Sequence, residues 1–371
     1  MNPKEVYAQS IRHFLAPIVP LLDDPGVSEI LINGPSQVYC ERAGRLEPVA
    51  CTFTDAATVM AAARNIGDYV GRSVDHGEHS MDARLPDGSR VHVIVPPSSR
   101  QGACISIRKF QKSSFDLGKL VARGSLTAEV AEFLRLAVLL HRNTVISGGT
   151  GTGKTSMLNA LSSAIPEHER IVVIEDTSEL QLAQPHTVYL EAQPADMHGR
   201  GAVTVRDLFV DSLRMRPDRI VVGEVRRGEA LDLVQSMISG HSGSLSTVHA
   251  NTPRDAAIRL ETLSLMSDVS LPVHVARMQV ASAIHLAVQL SRLPDGSRRV
   301  MTVSECLGLG DDGQYRFVDI YRFAGEGRDS EGRIAGGLVH TGAKASFAAD
   351  LDTLGYRGEV RLTKHVFESV A

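Results

Sequence analysis

The sequence predicts an α/β protein, with a small N-terminal α+β domain ahead of a larger domain built on a buried parallel sheet. Three observations predict it. First, short β-branched runs without polar alternation recur between helical stretches, at Asn143–Ser147, Ile171–Ile174 and Ile220–Val222. Such runs are the pattern of strands covered on both faces. Second, Gly148-Gly149-Thr150-Gly151-Thr152-Gly153-Lys154-Thr155 reads G-x-x-x-x-G-K-T and stands between one of those runs and a helical stretch starting at Ser156. That is the context a phosphate-binding loop needs. Third, roughly the first 110 residues alternate short strand-like segments with turn signals and one clear helix.

The elements follow in order. Val6, Ile11, Phe14, Leu15, Ile18, Leu21 and Leu22 fall near one face of a helix over residues 4–22, which Pro17 and Pro20 end or kink. Glu29–Ile32 and Gln37–Glu41 read as strands around Asn33-Gly34-Pro35, and Ala43-Gly44 signals a hairpin. A helix spans 55–70 from the cap residue Asp55. Asp82–Leu85 and Arg90–Val95 form a hairpin about Pro86-Asp87-Gly88-Ser89, and Ala103–Arg108 adds a strand. These make an N-terminal domain of residues 1–108. Residues 109–125 are polar and turn-rich and read as a linker. The second domain takes 126–371, with helices at 127–141, 204–214 and 229–239. Its tail is rich in glycine (Gly325, Gly327, Gly332, Gly336, Gly337) and suits an edge hairpin or a mobile segment.

Composition narrows the function. The chain has 371 residues, 43% hydrophobic and 22% charged, with a net charge of −4, 5% aromatics and no Trp. Neither a basic field nor stacking platforms are available for nucleic acid. No apolar run approaches the ~20 residues that span a bilayer, and the first residues lack a signal-peptide core. The expectation is a cytoplasmic protein with at most peripheral membrane contact. Cys40, Cys51, Cys104 and Cys306 form no C-x-x-C pair, so neither a zinc module nor a disulfide framework is indicated.

The loop carries the chemistry. Its glycines let backbone N–H groups curl around an anion at the positive end of a helix dipole. Lys154 reaches β and γ phosphates, the Thr155 hydroxyl ligates Mg2+, and Ser156 opens the helix. ATP and Mg2+ are therefore the expected ligands. Three further stretches surround it. Glu175-Asp176-Thr177 ends an apolar strand, at the edge where parallel sheets bind ligands. Glu224 ends another, where a carboxylate can orient or deprotonate water. Gly240–Thr252 holds His241 and His249 among glycines and hydroxyls. Two histidines without a third ligand are weak evidence for metal. They read as hydrogen-bond donors in a tight polar turn beside phosphate. The plainer alternatives are a capped helix for Glu175 and Asp176, and ordinary hydrogen bonding for the histidines.

Together these motifs resemble the secretion ATPases that power type II secretion, type IV secretion, type IV pili and tight-adherence (Tad) pili. The phosphate loop, the acidic box Glu175-Asp176-Thr177, the strand end Gly223-Glu224-Val225-Arg226 and the histidine box Gly240–Ala250 match the family's four marks. Leu213–Arg219, Ser244–Asn251, Glu29–Gly34 with Val38–Arg42, Pro272-Val273 and Gln289–Arg292 are closest to the Tad and type IV secretion branches. Arg227 departs from the small residue common after the family's strand-end arginine, and the four-cysteine module of type II secretion is absent from the sequence.

The resemblance implies a RecA-like P-loop NTPase domain with the N-terminal domain over it, ATP in the cleft, and a homohexameric ring. It implies hydrolysis of ATP to ADP and phosphate, driving pilus assembly or secretion through an inner-membrane platform protein. It implies arginines from the N-terminal domain, matched by Arg90, Arg108 and Arg84, with Arg216 a candidate from the C-terminal domain. The catalytic set it implies is completed by Glu224, Glu175, His241 and His249. Type IV secretion or conjugation is the neighbouring alternative. A RecA-like nucleic-acid motor is one of a different class, disfavoured by charge and aromatic content, as a non-hydrolysing nucleotide-gated scaffold is by Glu224.

Overall fold

Two β-sheets organise the protein. The computed structural model describes residues 3–42, 44–75, 77–110, 116–193, 195 and 199–368. The chain divides into two units, the first essentially residues 1–112 and the second the remainder.

The first unit contains α1 (Pro3–Phe14), a short 3-10 turn at Ala16–Ile18 and α2 (Val19–Asp23). The helix expected over 4–22 is thus broken where Pro17 and Pro20 remove backbone donors. There follow β1 (Val27–Asn33), β2 (Val38–Arg42), β3 (Arg45–Val49), α3 (Ala56–Val70), β4 (Ser80–Arg84), β5 (Arg90–Ile94) and β6 (Cys104–Arg108). The strands form one antiparallel sheet in the order β3-β2-β1-β6-β5-β4. Alternate residues such as Ile30, Ile32, Ile105 and Ile107 are fully buried with Val59, Ala62, Ala63 and Ile66 of α3, Ile11 of α1 and Leu15 just after it. Asp55 caps α3 by accepting the Thr58 N–H at 2.8 Å, and Gly71 closes it at φ 69°.

The second unit begins with α4 (Leu117–Ala122) and α5 (Ala128–Leu139). The stretch read as a linker therefore holds a helix, whose Leu117 and Leu120 join the core. The chain continues through β7 (Thr144–Gly148), α6 (Lys154–Ser162), β8 (Ile171–Glu175), β9 (Thr187–Glu191), α7 (Val205–Ser212), β10 (Arg219–Val222), α8 (Glu229–Ile238), β11 (Leu245–Val248), α9 (Pro253–Leu265) and α10 (Val273–Ala283). It ends with β12 (Leu286–Arg292), β13 (Arg298–Leu309), β14 (Tyr315–Arg328), β15 (Ile334–His340), α11 (Ala348–Thr353) and α12 (Lys364–Phe367).

The nine strands run in the order β15-β14-β13-β12-β7-β11-β10-β8-β9. The six from β12 to β9 are parallel, and β13 to β15 add an antiparallel meander. The central strands β7, β8, β10 and β11 are buried throughout, because helices cover both faces. Apolar clusters lie on either face, one around Phe133, Leu158 and Leu161, the other around Phe209, Val234 and Leu260. The glycine-rich tail supplies the edge hairpin β14–β15. Parallel alignment brings the C-terminal ends of β7, β8, β10, β11 and β12 to one edge.

Candidate functional site

Each of those five strands delivers a motif to that edge. β7 leads into Gly148–Thr155, and α6 starts at Lys154 with Gly153 as its N-cap at φ 95°. Only glycine adopts that left-handed geometry without strain. Thr150 and Gly151 form the exposed tip of the loop, while Thr152 is buried and donates to Gly149 O at 3.0 Å. Ser156 sits in the first turn of α6. Lys154 is buried, and its Nζ donates to Gly148 O at 3.1 Å and Gly149 O at 3.0 Å.

The end of β8 behaves differently from the sequence expectation. Glu175 is buried, and its carboxylate accepts the N–H groups of Glu179 at 2.8 Å and Leu180 at 3.1 Å. Burial raises its pKa to about 7. It shapes the turn after β8. A Cβ on Gly223 would lie 2.9 Å from its Cγ, so glycine precedes Glu224 because Glu175 occupies the space. The carboxylate this turn delivers to the loop is Glu179, whose Oε2 accepts the Thr155 hydroxyl at 3.2 Å. Sequence reasoning missed Glu179; its reach depends on the fold of the turn.

After β10, Glu224 meets two partners. Arg226 Nε donates to Glu224 Oε2 at 2.7 Å, and Arg226 also reaches Asp176 at 3.2 Å. His249 Nε2, following β11, lies 2.7 Å from Glu224 Oε1 and 3.4 Å from Lys154 Nζ. Burial and the Lys154 charge lower the His249 pKa, which keeps the ring neutral at pH 7. Neutral Nε2 accepts from Lys154 Nζ and stands beside Glu224 Oε1, so one ring lies between the two. On β12, the buried Gln289 accepts from the Ser147 hydroxyl and donates to Ala250 O at 3.3 Å. It ties the base of the loop to the histidine strand.

Not every candidate arrives here. The histidine box is not the polar turn expected, because its middle is the buried strand β11. His241 precedes that strand and His249 follows it, so they stand at opposite sheet edges. His241 lies at the N-terminal edge, its carbonyl accepting the Ser244 hydroxyl at 2.8 Å. Arg216 is exposed, at φ 53°, in the turn before β10, also at that far edge. Arg84, Arg90 and Arg108 belong to the first unit. Register sets Arg84 opposite Arg90 and Arg90 opposite Arg108, with Glu29 next in line, so the three arginines share one face of its sheet.

The geometry suits phosphate transfer: a glycine-rich loop at a helix start, a lysine, a hydroxyl paired with a carboxylate, and a second carboxylate beside the histidine that meets the lysine. Among the described residues no group of three or more His, Cys, Asp or Glu could hold a metal by itself. The Thr155 and Glu179 oxygens fit a hard cation that draws its other ligands from phosphate and water.

Comparison with known proteins agrees. The sequence model of a family described as "Type II/IV secretion system protein" matches residues 13–321. A putative conjugal transfer protein of Mycobacterium tuberculosis is 35% identical over 77% of this chain and 82% of its own length. The type IV secretion system protein VirB11 of Brucella suis is 31% identical over 79% of this chain and 89% of its own. Among solved structures, the ATPase DotB of Legionella pneumophila aligns with a TM-score of 0.56 at 16% identity, covering 81% of this chain and 82% of DotB, a likeness of fold. The larger domain is accordingly RecA-like.

Proposed function

The chain belongs to the type II/IV secretion system protein family, and on that premise we propose that it is a homohexameric motor, coupling hydrolysis of Mg2+-bound ATP to pilus assembly or protein secretion across a bacterial inner membrane. Its enzymatic activity is that of an ATPase. The observation that carries the reading is the meeting of Lys154, the Thr155–Glu179 pair, Glu224 and His249 at one sheet edge.

In this reading the loop N–H groups and Lys154 bind the β and γ phosphates. Thr155 and Glu179 would hold Mg2+, which would neutralise charge on the phosphate oxygens. Glu224 accepts a proton from the attacking water as its oxygen bonds to the γ phosphorus and the bridging bond to ADP breaks. His249 communicates the state of Lys154 to Glu224. Arg84, Arg90 and Arg108 supply the cationic compensation that Arg226, held by Glu224 and Asp176, does not. Arg216 and His241, far from the loop of their own chain, act only across a subunit boundary if they act in hydrolysis at all. The double change Arg90→Ala with Arg108→Ala should leave the ring intact by light scattering and remove most phosphate release. A hexamer with unchanged turnover would refute the arginine assignment.

Among the described residues no helix is long and apolar enough to cross a membrane, which suits a motor held at the cytoplasmic face of the inner membrane by a platform protein. The motif wording favours Tad pilus assembly. Relatives named for conjugal transfer and type IV secretion favour the second reading, a conjugation or type IV secretion ATPase. Deleting the gene and complementing it with wild type or Lys154→Ala separates the two. Lost surface pili with intact transfer supports the first. Lost transfer with intact pili supports the second. Pili and transfer both unchanged would overturn the motor role.

A further inference from the structure

The β12–β13 hairpin brings a cation to the phosphate loop. A Cβ placed on Gly153 would lie 3.5 Å from Cδ of Arg298 and 4.0 Å from Cδ2 of Leu290, so the Arg298 side chain runs across the start of α6. No hydrogen bond or ion pair with a described residue engages its guanidinium. Arg298 stands opposite Arg292 in the β12–β13 register, on the same face of the hairpin. A cation beside a helix N-terminus is electrostatically unfavourable by itself, because the dipole there is positive, and Lys154 already adds charge. The arrangement becomes favourable when an anion lies between.

The hairpin is also pinned. Asp295 in its turn accepts the Ser297 N–H at 2.9 Å on one oxygen and the Ile334 N–H at 2.7 Å on the other. The Ser297 hydroxyl, donating to Asp295 Oδ1 at 2.6 Å, and these two N–H groups hold the Asp295 pKa down at about 2. Arg299 donates to Gly336 O at 2.8 Å and to Ile334 O at 2.6 Å, and its guanidinium packs over Phe323. Ile334 and Gly336 lie on β15, beyond residue 321, where the family match ends. A C-terminal strand outside the matched region thus fixes the turn whose next residues cross the loop.

We propose that Arg298 is a nucleotide-binding residue, contacting the phosphate chain on the Gly153 side of the loop, and that β15 positions it through Asp295 and Arg299. The inference rests on the phosphate-loop reading and adds a ligand to it. Arg298 donates charge-assisted hydrogen bonds to phosphate oxygens from the Gly153 side of the loop. Asp295 and Arg299 are positioning residues and touch no nucleotide.

The test is titration calorimetry of the full chain with Mg2+-ADP, alongside thermal melting. Arg298→Ala should weaken ADP about tenfold with unchanged melting. Asp295→Ala should weaken ADP when Arg298 is present and have no further effect in an Arg298→Ala background. Lys154→Ala is the control: if it binds ADP normally, the phosphate-loop reading itself fails. If Lys154→Ala loses binding while Arg298→Ala binds like wild type, Arg298 is no ligand and the proposal falls alone. An Asp295→Ala effect of equal size in both backgrounds overturns the positioning role of β15.

Discussion

At the N-terminal ends of the parallel strands, polar groups are locked to one another. Asn143 donates to Met237 O and Ala283 O and accepts from Gly243 N and Ser244 N, which uses its whole side-chain amide. Arg219, fully buried, holds Glu169 through Nε and Nη2, and the His141 ring together with Arg219 keeps that carboxylate's pKa at about 2 against its burial. At the C-terminal ends, Lys154, Glu224 and His249 share partners that are half exposed or are loop carbonyls. The first edge costs little to bury because its bonds are permanent. The second can exchange its internal bonds for bonds to phosphate. One sheet therefore carries a rigid staple at one end and an exchangeable site at the other.

The comparison breaks most sharply at Lys154. Lys154→Ala should lower phosphate release by about 10³-fold, because it removes the charge that meets the transferring phosphoryl. Steady-state turnover checks it, and near-normal turnover would remove the functional edge from the account. At the other edge the effect should be on stability. Glu169→Gln leaves the buried Arg219 without its counter-charge and should cost about 3 kcal/mol in urea unfolding. Hydrolysis per folded molecule should not change.

Glu175 sharpens the contrast, since it sits at the functional edge with a structural task. Its folded pKa of about 7 exceeds the ordinary 4.5, so its contribution to stability is full below pH 4.5 and is lost as pH rises through 7. Wild type should therefore lose up to about 3 kcal/mol across that window relative to Glu175→Gln. Equal pH profiles for the two proteins would show that the carboxyl is not destabilised by burial. The smallest effect belongs to His241. His241→Ala should change turnover by less than about twofold unless a neighbouring subunit uses that edge, and phosphate release measures it.

The sequence made the parallel strands legible wherever β-branched residues ran together, as at Ile171–Ile174. The cap at Asp55 was equally plain, since its side chain accepts from the helix it starts. β11 was hidden because Leu245-Ser246-Thr247-Val248 is half hydroxyl and reads as a turn, although the interior buries it fully. That one strand misplaced His241. A strand advances ~3.3 Å per residue, so residues on either side of four strand positions cannot share a loop. Glu179, Gln289 and Arg298 were not legible because each reaches the site through tertiary placement: a turn folded by Glu175, a neighbouring strand, and a hairpin pinned by β15.

The most direct test compares Glu224→Gln with Glu175→Gln in single-turnover hydrolysis of prebound Mg2+-ATP. The Glu224 amide fills the same space and cannot take a proton, so the account predicts bound ATP with hydrolysis slowed by about 10²-fold or more. Glu175→Gln should hydrolyse within about threefold of wild type, because its carboxylate serves the turn and not the water. The reverse pattern, a fast Glu224→Gln and a slow Glu175→Gln, would contradict the assignment of Glu224 as the base.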